Sequence, residues 1–409
     1  MLWFYLEPFV FISEDSKGFL FYNANSKRVI LFDKNENINR VIKYLQNPVF
    51  MYSIKIGVKE LENDHLYNLI KTLQEAGFGD IIEGDLSKPV LMQPILNLQK
   101  SVKHLKTDLH LQSDRLLSYL HEVTVFVNGS CKYRCKECRT MFKQLSCCTK
   151  SKDTLNYTLL DNFLHSISGI RSSINITGGD VFQYPELKKL FNLLEKRNSI
   201  NTFTVNYRNI PEDSALLHLL SKESFRIKVI VNESYQEKSL ETVAEKLYQE
   251  NVNQLWEISV TSAAEYGKAE LLGEKLSEHN IKINIKPFYN RKNLSFFEEN
   301  IYIQPEDLIA VELDKQDIFA LQELNTNNWG KITVMADGKV YANLNKDSIG
   351  DINEKIGDIL CRELINGGSW RHTRYNTKTC NQCRFKLICP SPSNYESAIG
   401  KSNLCHVKL

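Results

Sequence analysis

The chain has 409 residues, of which 42% are hydrophobic, and this length and composition suit a globular protein of two or three domains. Its 51 Lys and Arg residues nearly balance its 49 Asp and Glu residues, so no overall field draws it to nucleic acid or to an anionic membrane. No stretch is apolar over the length of a membrane helix, and ten Cys at metal-like spacings indicate a reducing, cytoplasmic compartment rather than a disulfide framework.

Residues 1–85 predict a small winged-helix-like α+β domain. The apolar stretch Met1 to Ile12 favours a first β-strand, and alternating apolar residues predict a hairpin that turns at Asn23 to Ser26. Two helical periods follow, one marked by Ile38, Val41, Ile42 and Leu45, and one by Leu61, Leu66, Leu69, Ile70 and Leu73. The second helix is expected to end near Gly77. Residues 86–114 are interpreted as a linker.

Residues 115–324 alternate strand and helix at short intervals, which is the pattern of right-handed β-α-β units. Helical periods separate the strands. Six strands are predicted: His121 to Val127, Ser173 to Thr177, Thr202 to Asn206, Phe225 to Val231, Leu255 to Val260 and Ile281 to Pro287. The fold class is therefore α/β, with a partial (β/α)6 TIM-like barrel.

Three cysteines follow the first of these strands. Cys131, Cys135 and Cys138 stand in the spacing C-x3-C-x2-C. Three thiolates so close on one loop can hold three irons of a 4Fe-4S cube and leave the fourth iron open for a small molecule. The alternative is a reduced structural cysteine cluster or a zinc loop, although zinc sites usually show paired cysteines with a second pair elsewhere.

A second loop after a strand carries Gly178, Gly179 and Asp180. Paired glycines let the backbone approach a ligand closely, and the carboxylate can receive an ammonium group. Ligands bind at the carboxyl ends of barrel strands, so both loops are expected to open onto one mouth. Asn206 and Tyr207, at the end of the third strand, are further candidates for holding a cofactor, with a capped strand end as the alternative.

Residues 325–409 contain a second group of cysteines. Cys380, Cys383 and Cys389 form a C-x2-C-x5-C knuckle, and Cys405 follows it. Four thiols can close a metal site, either an iron-sulfur cluster or a structural zinc ion.

These residues resemble the radical S-adenosylmethionine enzymes that carry a C-terminal SPASM domain. The resemblance implies that Cys131, Cys135 and Cys138 hold a 4Fe-4S cluster that binds S-adenosylmethionine. It also implies that Gly178, Gly179 and Asp180 meet the amine of that cofactor, with Asp180 standing where the family has Glu. The last group of cysteines, Cys380, Cys383, Cys389 and Cys405, would hold one auxiliary 4Fe-4S cluster.

The first domain resembles the peptide-recognition elements of maturases that act on ribosomally made peptides. Such elements bind a leader peptide by adding it as a strand to a sheet edge. The resemblance therefore implies a precursor peptide as partner, together with an electron donor. The ending from Cys389 to His406 is similar to the pseudo-radical-SAM proteins of the GG-Bacteroidales peptide system, which are paired with a conventional maturase.

Two departures from the family pattern favour a second hypothesis. Glu137 precedes the third cysteine where an aromatic residue is usual, and Asp180 is shorter than Glu. The alternative is a non-catalytic accessory protein that binds a precursor peptide or a partner maturase. A third hypothesis is a zinc-containing binding protein. The roles of Cys147, Cys148 and Cys361, and the identity of any catalytic residue, stay open.

Overall fold

A computed structural model describes residues 2–83, 115–133, 135, 138–145, 149–197, 199–232, 235–277 and 281–408. The predicted linker, residues 86–114, lies outside these residues. So do Glu137, Cys147 and Cys148.

The N-terminal part contains six strands and two helices. They are β1 (Leu2–Leu6), β2 (Val10–Glu14), β3 (Gly18–Asn23), β4 (Arg28–Asp33), α1 (Glu36–Leu45), β5 (Ser53–Ile56), α2 (Asp64–Glu75) and β6 (Gly79–Glu83). They form two antiparallel sheets in the orders β5-β1-β6 and β2-β3-β4. The predicted hairpin is confirmed as β3 and β4, and the winged-helix assignment stays a prediction.

Both predicted helices are confirmed, and Ile38, Val41, Ile42 and Leu45 are the buried residues of α1. In α2 the buried residues are Leu66, Leu69, Ile70 and Leu73, whereas Leu61 belongs to a short 3-10 helix before α2 and is only partly buried. Asn35 and Asn63 begin the helices by accepting hydrogen bonds from the backbone N–H groups of Asn37 and Leu66. The expectation of one strand from Met1 to Ile12 is wrong. A turn containing Pro8 divides this stretch into β1 and β2, which belong to different sheets.

The parallel sheet predicted for the middle of the chain is confirmed. Its strands are β7 (Glu122–Asn128), β8 (Ser173–Gly178), β9 (Asn201–Asn206), β10 (Phe225–Val231), β11 (Gln254–Val260) and β12 (Lys282–Pro287). The helices that accompany them are α3 (Cys138–Leu145), α4 (Tyr157–Ser166), α5 (Leu187–Glu195), α6 (Ser214–Leu220), α7 (Glu237–Gln249), α8 (Ala263–Ser277) and α9 (Leu294–Asn300).

The sheet extends further than predicted, because β13 (Lys331–Val334) pairs in parallel with β7. Two short antiparallel strands, β14 (Lys339–Tyr341) and β15 (Gly350–Asp351), complete a nine-stranded sheet in the order β12-β11-β10-β9-β8-β7-β13-β14-β15. The sheet therefore runs across the predicted domain boundary at residue 325.

Alternate residues of each parallel strand face opposite sides of this sheet. One side is apolar and forms the main core with the helices, as Val123 and Val125 of β7 and Ile227 and Val229 of β10 illustrate. The other side carries polar residues such as Thr124, Asn175, Lys228 and Glu257, and several of these line a cavity. We call this polar side the inner face.

The remaining helices are α10 (Pro305–Ile309), α11 (Lys315–Glu323), α12 (Ile356–Asn366) and α13 (Asn394–Ile399). The β2-β3-β4 sheet packs on this C-terminal part: Phe11, Leu20 and Tyr22 share a buried cluster with Ile318 and Phe385. The hydroxyl of Tyr22 also accepts a hydrogen bond from the backbone N–H of Leu313 at 2.6 Å. Among the described residues, no helix combines the length and apolar character needed to cross a membrane.

Candidate cofactor sites

Backbone hydrogen bonds hold the loops after β7 and β8 together. The N–H of Asp180 donates to the Ser130 carbonyl at 2.6 Å, and the N–H of Gly179 donates to the Asn128 carbonyl at 2.9 Å. The Asn128 side chain adds a bond to the Asp180 carbonyl at 2.8 Å. The cysteine loop and the glycine loop therefore lie side by side, and their opening onto one mouth stays a prediction.

Gly179 is required by this close approach, because a Cβ atom on it would overlap the Ser130 carbonyl group. We expect Gly179→Ala to displace the cysteine loop and to lower the iron bound per chain after anaerobic reconstitution by about half. Gly267→Ala is the matched control, since its Cβ would meet no atom within 4 Å. Equal iron content in the two variants would contradict the prediction.

Two side chains of the loop after β9 contact the cysteines. Arg208 donates from Nη2 to the sulfur of Cys135 at 3.0 Å, and the Nδ2 of Asn209 lies 3.7 Å from the sulfur of Cys131. The Arg208 guanidinium also lies over the ring of Tyr133, 4.5 Å from its centre. These donors would stabilise negative charge on the cysteine sulfurs.

Asp180 is buried and already hydrogen-bonded within its own loop. One carboxylate oxygen accepts from the N–H of Phe182 at 3.2 Å and the other from Gln183 Nε2 at 2.9 Å. Burial raises the pKa of this carboxyl, although the two hydrogen bonds and Lys132 oppose the shift. Asp180 is thus the N-cap of a short 3-10 helix, and its contact with a cofactor amine stays a prediction.

Asn206 positions Arg208 in this structure. Its Oδ1 accepts from the backbone N–H of Arg208 at 3.0 Å and from the guanidinium Nε at 3.3 Å, while its Nδ2 donates to Asn232 at 2.7 Å. Two buried polar atoms nearby, the Oδ1 of Asn209 and the Nδ2 of Asn232, have no hydrogen-bond partner among the described residues. Such atoms fit a polar ligand at this mouth.

Helix α3, which begins at Cys138, lies across the inner face of the sheet. Its Met141 and Leu145 side chains form a buried cluster with Ile230 and Phe288. The Phe142 ring meets the Phe126 ring edge-on at 6.4 Å. An apolar contact layer therefore covers the inner face next to the cysteine loop.

The four C-terminal cysteines line a single pocket together with Leu308, Arg374 and Phe385. Burial raises the pKa of Cys383 to about 11 and that of Cys389 to about 12, and the neighbouring thiols contribute smaller repulsive effects. Partly buried thiols gathered in one pocket suit a cation or cationic cluster, because metal binding stabilises thiolates and releases their protons.

Arg374 is the one cation in this pocket that is also deeply buried. It donates from Nη2 to Glu396 at 2.7 Å and from Nε to the Pro390 carbonyl at 2.7 Å. Its Nη1 lies 3.8 Å from the sulfur of Cys380. Arg374 therefore links the cysteine knuckle to α13.

The structure brings Cys131, Cys135 and the Gly178 to Asp180 loop together, and it gathers the second cysteine group in one pocket. No group of three or more His, Cys, Asp or Glu residues, within the part of the chain that is described, stands in a metal-binding arrangement. The ligand sets stay predictions. Sequence reasoning missed Arg208 and Asn209, although their position just after a parallel strand was the signal that had selected Asn206.

The chain matches no family model and no curated protein sequence. Its fold matches a crystal structure of Streptococcus suis SuiB bound to the precursor peptide SuiA, with a TM-score of 0.53 and 12% identity over 99% of each chain. The chain shares the SuiB fold. The expected resemblance to radical S-adenosylmethionine peptide maturases is thereby confirmed for the fold, whereas the closer similarity to the GG-Bacteroidales proteins stays a prediction.

Two weaker similarities accompany the SuiB fold. SuiB bound to S-adenosylmethionine matches with a TM-score of 0.48 and 13% identity over 99% of each chain. A structure of native anSMEcpe with bound AdoMet and Cp18Cys peptide matches with a TM-score of 0.45 and 15% identity, over 66% of this chain and 87% of that one.

Proposed function

We propose that this protein is a radical S-adenosylmethionine enzyme that modifies a ribosomally synthesised precursor peptide. The observation that carries the proposal is the contact of the Cys131 to Cys138 loop with the loops that follow β8 and β9. All of these loops lie at the carboxyl ends of parallel strands, where ligands of such folds bind.

In this proposal Cys131, Cys135 and Cys138 hold a 4Fe-4S cluster, while Gly178, Gly179, Asp180 and Asn206 hold S-adenosylmethionine. The cofactor would supply a 5′-deoxyadenosyl radical that abstracts a hydrogen atom from the peptide. The protein's own contribution would be the hydrogen bond from Arg208 to the Cys135 sulfur and the exclusion of water by the apolar side of α3. Cys380, Cys383, Cys389 and Cys405 would hold an auxiliary cluster.

The precursor peptide has a candidate docking position at β5, which is an edge strand of the β5-β1-β6 sheet. A groove of about 310 Å³ lies beside it. The groove is lined by Trp3, Arg40, Tyr44, Phe50, Ser53, Ile54, Lys55 and Glu60. An edge strand beside a groove suits a leader peptide that pairs through its backbone. SuiB, which shares the fold, has been crystallised with its precursor peptide.

A second candidate function is a non-catalytic accessory protein that binds the precursor or a partner maturase. Two observations favour it. The Asp180 carboxylate is already used within its own loop, and Met141 and Leu145 of α3 cover part of the inner face. In this case the clusters would serve only to stabilise the fold.

The assay that separates the two functions is formation of 5′-deoxyadenosine from S-adenosylmethionine by reconstituted, reduced protein under anaerobic conditions. We expect turnover by the wild type and none by the variant in which Cys131, Cys135 and Cys138 are all replaced with Ala, because that variant lacks the thiolates that hold the cluster. A wild-type protein with a reducible cluster and no 5′-deoxyadenosine would favour the accessory function.

A further inference from the structure

The inner face of the parallel sheet borders a partly open cavity of about 480 Å³. Its floor consists of side chains from β7, β8, β10, β11, β12 and β13. The end of α3 closes one side through Gln144 and Leu145, and the start of α13 closes another through Asn394 and Tyr395. The cavity thus lies between the sheet, the helix that follows the cysteine loop and the C-terminal part of the chain.

Four lysines and two glutamates line the cavity: Lys143, Lys228, Lys286, Lys331, Glu122 and Glu257. Lys228 pairs with the buried Glu257 at 2.7 Å, and Lys331 pairs with Glu122 at 3.5 Å. These two ion pairs are neutral overall.

The other two lysines have no carboxylate within 4 Å among the described residues. Lys143 is the sixth residue of α3, and Lys286 lies on β12, so the two charges reach the cavity from different elements. The cavity therefore carries an excess of two positive charges. Amide side chains that can donate hydrogen bonds, including Asn175, Asn328 and Asn343, line the rest of it.

We infer that this cavity receives an acidic side chain, Asp or Glu, of the substrate peptide. The inference rests on the proposed function, because it takes the occupant to be that peptide. A carboxylate would complete the charge balance of Lys143 and Lys286, and amide donors would satisfy its remaining lone pairs. The pairing of Lys228 with Glu257 leaves those two side chains to shape the wall.

The cavity adjoins the helix that follows the cysteine loop. Lys143 lies five residues after Cys138 on the same helix, which is a rise of about 7.5 Å along the helix axis. A carboxylate bound at Lys143 would therefore lie on the same helix as Cys138, beyond the apolar contacts that Met141 and Phe142 make with the sheet.

The test is a binding measurement on the full chain by isothermal titration calorimetry at low salt. The probes are three short peptides: acetyl-Gly-Glu-Gly-amide, acetyl-Gly-Gln-Gly-amide and acetyl-Gly-Gly-Gly with a free C-terminus. We expect the Glu peptide to bind about tenfold more tightly than the Gln peptide. The free C-terminus peptide is expected to bind like the Gln peptide.

The variant K143M/K286M keeps the unbranched stems of both lysines and removes their charges, so it should bind the Glu and Gln peptides equally. Lys282→Met on the same strand as Lys286 is the control, because Lys282 does not line the cavity. The Lys282→Met variant should keep the full preference for the Glu peptide over the Gln peptide. Circular dichroism would show that both variants are folded.

Three results would overturn the inference: equal or undetectable binding of the Glu and Gln peptides by the wild type, preference for the free C-terminus, or an unchanged preference in K143M/K286M. The binding experiment needs no S-adenosylmethionine and no reductant. If the Glu peptide shows no preference, the 5′-deoxyadenosine assay can still support the proposed enzyme. If that assay shows no 5′-deoxyadenosine, the preference for the Glu peptide can still be measured.

Discussion

Replacement of Cys135 with Ala is expected to halve the iron and sulfide bound per chain, from about eight irons to about four, because each 4Fe-4S cube needs its full set of thiolates. Cys135 is buried and accepts a hydrogen bond from Arg208. The C-terminal cysteines belong to a separate pocket, and their cluster should persist. Iron and sulfide analysis after anaerobic reconstitution measures both effects.

The control for this experiment is Cys361→Ala. Cys361 is fully buried in the apolar core on α12, where it acts as a small hydrophobic residue. Its loss should leave the iron content unchanged. Unchanged iron in Cys135→Ala would contradict the proposed cluster, and native protein that holds zinc instead of iron would contradict both clusters.

Arg374→Ala should cause the second large effect, a loss of about 3–5 kcal/mol in the free energy of unfolding. The Arg374 and Glu396 side chains are only 5% and 9% exposed, so the variant leaves a buried carboxylate without its cation. It also removes the hydrogen bond to the Pro390 carbonyl. Urea unfolding of the full chain, followed by tryptophan fluorescence, measures the change.

Arg362→Ala is the matched control for this prediction. Arg362 pairs with Glu354 at 2.6 Å, which is as short as the buried pair, but the two side chains are 44% and 40% exposed. An exposed pair contributes about 0–1 kcal/mol, so the urea concentration at the midpoint of unfolding should change very little. Equal losses of unfolding free energy in Arg374→Ala and Arg362→Ala would contradict the prediction that burial makes the Arg374 pair more stabilising.

Elements with strong local patterns could be predicted from the sequence. The four apolar residues that marked α1 are its buried residues, and each of the six predicted parallel strands exists within two residues of its expected bounds. The periods of 3.6 and 2 reflect one buried face of a helix or the two faces of a strand, and both are local properties.

What the sequence could not give depends on distant partners. Strand β13 is four residues long and becomes part of the main sheet only by pairing with β7. The turn at Pro8 separates β1 from β2 because each strand finds its neighbours elsewhere in the chain. Arg208 contacts Cys135 only because β9 pairs with β8. No spacing motif in the sequence predicts such a contact.

The docking of the β2-β3-β4 sheet on the C-terminal part has a consequence for biosynthesis. Phe11 emerges from the ribosome well before its partner Phe385 in the shared cluster. At about 5–20 residues per second, about 20 to 75 seconds pass between the two events. During that interval the apolar face of the nascent β2-β3-β4 sheet is exposed to solvent. The nascent chain is therefore expected to need a chaperone until Phe385 and its neighbours in the cluster have been made.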